Sequence, residues 1–100
     1  MANQTRGETA IHIGGRELLL RPTFDALCRA EEELGPLFAL IERAADNHLR
    51  LADIAALFWH CLAQPAAVDR AELGEAVLDM GLAKATGPLK QIFGQVLRGR

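Results

Sequence analysis

The chain has 100 residues, half of them apolar, and a net charge of −2, which suits one domain able to bury a core without disulfides or metal and offers no basic field for nucleic acid. Ala and Leu outnumber Val and Ile 33 to 8, a balance that favours helix over sheet. No run approaches the length of a membrane span and the opening MANQTRGETAIHIGG lacks an apolar h-region, so the expected protein is soluble, cytoplasmic and without a membrane partner.

Residues 8–21, ETAIHIGGRELLLR, read as a β-hairpin turning on Gly14-Gly15, since glycine tolerates positive φ at both turn positions. That register sets Thr9, Ile11 and Ile13 opposite Leu20, Leu18 and Arg16 on one face. His12 meets Glu17 and Glu8 meets Arg21 on the other. An isolated hairpin is marginal in water, so its aliphatic face is expected to lie on a helix. Leu19, on the outer face, is the misfit.

Thr23 is a good N-cap for a helix over Phe24–Leu34, with Asp25 at the positive end of the dipole and Gly35 as the left-handed residue that ends it. The expected buried stripe is Phe24, Leu27, Cys28 and Leu34. Glu31 falls in the middle of that stripe. Its simplest role is structural: a carboxylate at the edge of the core that caps the next helix start or pairs with Arg16. A catalytic role would need a second acid or a His beside it, and the sequence places none.

A second, amphipathic helix runs from Pro36 to about Asp46, with Leu37, Leu40, Ile41 and Ala44 inward. Asn47-His48 forms the turn, with His48 as a helix-end cap. The next segment, Leu51 to Ala63, is apolar on nearly every side and is expected to be the most buried helix. Leu51, Ile54, Ala55, Phe58, Cys61 and Leu62 make the broad stripe, with Trp59 at its flank, and Asp53, Ala56 and His60 a thin opposite seam. Arg50 stands where a small polar cap is expected.

Asp69 and Glu72 form a capping box, with Val68 and Leu73 as its hydrophobic staple, so a fourth helix starts at Arg70 and closes near Met80 on Gly81. Leu82 is placed to contact Val77 in a Schellman arrangement. The last helix carries Leu82, Ala85, Leu89, Ile92, Phe93 and Val96 on one stripe as far as about Leu97, and Gly87-Pro88 is expected to kink it or delay its start to Thr86.

The architecture is therefore mostly α: an N-terminal β-hairpin (8–21) packed on a bundle of about five short helices (24–97), one domain over 1–100. Cys28 and Cys61 sit on apolar stripes and read as reduced packing residues. A Cys/His nucleophile or metal site with His12, His48 or His60 needs close ligand pairs, and the only close pair, His60-Cys61, diverges on a helix. No catalytic pair, phosphate loop, metal site or cofactor site is expected.

The pattern RGE near residue 6, the run LLLRPTFDALCRAEEELG over 18–35 and the segment DIAALFWHCL resemble the gene transfer agent family of small phage-tail proteins, described as tail assembly chaperones or tail tube proteins. Glu31 and Leu34-Gly35 are the most recognisable positions, whereas Arg50 and the bulky Trp59-His60 depart from the pattern. The resemblance implies a non-enzymatic role in building a phage-like tail within a bacterial host, with the tape-measure protein and the tail tube protein as partners. It leaves a transient chaperone and a retained tail component both open. A small helical regulator, DNA-binding or antitoxin-like, is the alternative, but it needs a basic recognition helix that is not evident. A helical tape-measure chain calls for an apolar face, and the C-terminal stripe Leu89, Ile92, Phe93, Val96 and Leu97 is the candidate for it. The competing reading is that this stripe completes the core.

Overall fold

The computed structural model describes residues 8–13, 15–65 and 68–99. Strands β1 (Thr9–Ile13) and β2 (Arg16–Leu20) precede helices α1 (Phe24–Leu34), α2 (Leu37–Ala45), α3 (Leu51–Cys61), α4 (Arg70–Met80) and α5 (Leu82–Arg98). A β-hairpin followed by five helices is thus the observed architecture.

The hairpin adopts the register that alternation and turn chemistry require: Thr9 opposite Leu20, Ile11 opposite Leu18, His12 opposite Glu17 and Ile13 opposite Arg16. Gly15 takes φ +79°, while its predicted turn partner Gly14 lies outside the described residues. Ile11, Leu18 and Leu20 are buried, and β1 rests on α5. On the other face Arg21 Nε donates to Glu8 Oε2 at 3.0 Å, and His12 Nε2 lies 3.3 Å from Glu17 Oε2.

Leu19 finds its explanation in the chain that leaves α3. Its carbonyl accepts the Ala63 N–H at 3.0 Å, Arg21 N–H donates to the Cys61 carbonyl at 2.6 Å, and Leu20 bridges Leu62. Residues 61–63 therefore run along the outer edge of β2 and satisfy backbone groups that a bare edge would expose. This pairing also ends α3 at Cys61, two residues short of the predicted Ala63.

The orientation of α3 differs from the expected one. Asp53 and Ala56, assigned to a thin outer seam, are buried together with Ile54, Leu57, Phe58 and Cys61, while Leu51 and Ala52 are exposed. A helix that is apolar all round has little moment to set its rotation, so packing decides. Here α1 and α4 cover α3, and Asp53 is compensated by arginines.

A second correction concerns α1. Its fully buried residues are Ala26 and Ala30, whereas Leu27, Cys28 and Leu34 are half-buried and Phe24 is 81% exposed. Small side chains on α1 and the buried Ala56 on α3 suit a close approach of the two backbones. The larger residues of the predicted stripe are left at the rim.

The helix ends follow the capping signals with two changes. Asp69 accepts the Glu72 N–H at 2.8 Å and Glu72 accepts the Asp69 N–H at 3.2 Å, while the staple residues Val68 and Leu73 are buried. Asn47 holds φ +61° at the α2–α3 turn. Gly35 and Gly81, however, end α1 and α4 with φ 88°, ψ −174° and φ 86°, ψ 150°, both outside the left-handed helical well expected of them, and α5 begins at the residue after Gly81. Leu82 is consequently 52% exposed instead of closing a Schellman motif on Val77. The helix also runs through Gly87-Pro88 without the predicted delay to Thr86; Thr86 Oγ1 donates to the Leu82 carbonyl at 2.9 Å within its first turns.

Candidate functional site

The sequence-selected C-terminal stripe is divided by the fold. Ile92 is fully buried, and Leu89 and Phe93 are nearly so, all three in the core cluster. Val96 is half-buried and Leu97 is 57% exposed. Most of the stripe therefore completes the core, as amphipathic stripes at helical spacing usually do.

Two of the grooves that α5 borders adjoin this stripe. The larger, about 470 Å³, is formed by Ala44 and Asn47 at the end of α2, Leu49 and Ile54 at the start of α3, and Leu82, Thr86, Leu89, Lys90 and Phe93 of α5. Leu89 and Phe93 supply its floor from the core side, and Leu82 stands exposed within it. Its polar groups, Asn47, Thr86 and Lys90, include no acid and base in partnership.

The second groove, about 300 Å³, lies between α1 and α5 and is lined by Pro22, Phe24, Leu27, Cys28, Glu31, Leu37, Gln95 and Val96. Phe24 and Leu82 are the exposed groove-lining residues that sequence reasoning missed, because both were assigned to the core. A signal for the first existed. A carboxylate in the middle of the Phe24, Leu27, Cys28, Leu34 stripe marks a face that stays wet.

Glu31 itself is exposed, and its Oε2 accepts the Leu37 N–H at 3.0 Å. The acceptor matters because Pro36, at the N-cap of α2, offers no side-chain cap, and the first N–H groups of a helix lack internal partners. The carboxylate thus joins the end of α1 to the start of α2.

Two ionic clusters connect other elements. Asp53 Oδ2 accepts the Arg50 N–H at 3.0 Å and lies 3.2 Å from Arg43 Nη1 and 3.4 Å from Arg50 Nε. The missing cap at Arg50 is thereby replaced from inside the helix. Glu33, at the end of α1, holds His60 Nε2 at 2.9 Å on one oxygen and Arg70 Nη2 on the other. The Arg70 hydrogen bond, then that of His60, holds the Glu33 carboxyl below its ordinary range.

The cysteines are free and separate: Cys28 is half-buried and Cys61 buried. Burial pushes the Cys61 thiol up to about 12, which removes the thiolate a nucleophile needs. Among the described residues no group of three or more His, Cys, Asp or Glu is placed to hold a metal ion. No helix among them is long and apolar enough to cross a membrane.

A family model described as phage tail tube protein, GTA-gp10, matches residues 6–99. No curated protein and no solved structure matches the chain.

Proposed function

Because the chain belongs to the GTA-gp10 family of phage tail tube proteins, we propose that it serves tail building as an assembly chaperone that holds an amphipathic helix of the tape-measure protein in the α2–α3–α5 groove. The groove is the observation that carries this reading. It is about 470 Å³, has an aliphatic and aromatic floor in Leu49, Ile54, Leu89 and Phe93, and is bordered by an exposed Leu82. A tape-measure chain is long and helical, and an amphipathic helix docks by laying residues spaced three and four apart into such a trough. Covering those residues until tube subunits arrive would keep the chain soluble.

The test is co-expression with the tape-measure protein. Leu82→Glu places a charge in the groove at an exposed position, so the variant is expected to fold and melt like the wild type while losing co-purification with the tape-measure chain. Undiminished co-purification removes this groove from the interface. Purified tails separate the two tail roles: a chaperone is absent from them, and a retained component is present in fixed ratio to the tube protein.

A further inference from the structure

The α1–α5 groove is independent of the one assigned above and has features of its own. Phe24, at the first position of α1, is 81% exposed beside a cleft of about 300 Å³ whose apolar wall includes Leu27, Cys28, Leu37 and Val96. An aromatic ring so placed keeps most of its apolar area in water, and exposed apolar surface next to a cleft marks an interaction site.

Charge is distributed unequally across this cleft. On α1, Asp25 is paired with Arg29 and Glu33 with His60 and Arg70, leaving Glu31 on the cleft wall and Glu32 beside it without a cation among the described residues. On α5 the charged residues are cations, but Lys90 lines the α2–α3–α5 groove and Lys84 a cleft with Met80 and Pro88, so Arg98, in no ion pair among the described residues, is the α5 cation beside this cleft. Arg98 lies three residues beyond Gln95, which lines the cleft, and its side chain folds back over Gly94. One patch therefore contains a protruding ring, a cleft, the Glu31 and Glu32 carboxylates of α1 and, beside Gln95, the Arg98 guanidinium of α5.

A surface that carries both halves of a complementary contact satisfies the condition for an isologous interface, in which residue i meets j and j meets i. We propose that a second copy of this chain docks on the α1–α5 groove about a two-fold axis, with Phe24 of each copy seated in the other's cleft and Glu31 and Glu32 of α1 facing Arg98 of α5. The opposed charges fix the orientation more than they add affinity, and they make the dimer weaken as salt rises.

Sedimentation velocity on the full chain, at low and high salt, tests the arrangement. A concentration-dependent species of twice the monomer mass is expected. Phe24→Asp should raise its dissociation constant by about tenfold or more, the scale of a lost aromatic anchor. Because Phe24 is exposed and an acid suits a helix N-terminus, the helical signal and melting temperature, measured at concentrations where wild type is monomeric, should not fall. Glu32→Arg and Arg98→Glu should each weaken the dimer, and the double exchange should restore it. A monomer at every soluble concentration overturns the proposal, as does a dimer untouched by Phe24→Asp. It is equally overturned if the double exchange fails to restore association. A dimer abolished by Leu82→Glu instead would assign self-association to the other groove.

Discussion

Arg43 of α2 places Nη1 3.2 Å from Oδ2 of Asp53 on α3, so a buried carboxylate of the central helix is balanced from the helix before it, across the 46–50 turn. Removing the carboxylate strands the Arg50 N–H and separates two helices that it joins. Asp53→Ala is expected to cost about 2 kcal/mol. Arg50→Ala, whose side chain is largely exposed, should cost less than about 0.5 kcal/mol. Urea unfolding of the two variants compares them directly, and equal losses would mean that the cluster is a surface feature.

Glu31→Ala should cost about 1 kcal/mol, the scale of a lost N-cap, because the Leu37 N–H then has only solvent to bond. Glu32→Ala should leave the unfolding midpoint unchanged. Glu31→Gln should recover part of the loss, since an amide oxygen can accept the same hydrogen bond.

Acid should loosen the junction of α1, α3 and α4. Glu33 has its carboxyl held below the ordinary value of 4.5 by Arg70 and then His60. The stability this contributes is complete above the unfolded value and is lost as pH falls through the folded one. The side chain is 39% exposed, so screening keeps the contribution under about 1 kcal/mol. Glu33→Gln should be less stable than wild type at neutral pH, with the gap closing as pH falls below the ordinary carboxylate range. A gap that persists in acid would exclude the carboxylate charge as its source.

Two glycines should respond oppositely to alanine. Gly74 lies inside α4, and an added Cβ meets nothing within 4 Å, so Gly74→Ala should stabilise by about 0.5–1 kcal/mol. Gly81, with φ 86° and ψ 150°, occupies a region that other residues scarcely enter, and Gly81→Ala should cost about 1–3 kcal/mol. In a domain of this size each kcal/mol moves the melting temperature by about 4–8 °C, so calorimetry resolves both.

Where local chemistry was decisive, the fold was legible in the sequence. Alternation around Gly14-Gly15 determined the hairpin register, and the Thr23, Asp69 and Glu72 caps placed the starts of α1 and α4. Rotation of the helices was not legible. The Leu51–Ala63 segment offers apolar groups in every direction, and the burial of Asp53 depends on Arg43, ten residues away. In α1, hydrophobicity favoured Phe24 inward, but the face that packs is the one with alanines. The candidate surfaces were obscured for the same reason: whether Phe24, Leu82 or Phe93 is core or groove depends on which helix face a neighbour covers.

The single residue between α4 and α5 has a consequence for how this chain can vary. With one residue as the whole linker there is no slack, so an amino acid inserted beside Gly81 must displace α5, which carries Ile92 and Phe93 in the core and borders both grooves. Gln64, where the chain leaves the β2 edge, lies outside every helix and has no such constraint. Length differences among related chains are therefore expected at Gln64 and not at Gly81, and an epitope tag or reporter peptide belongs at the former.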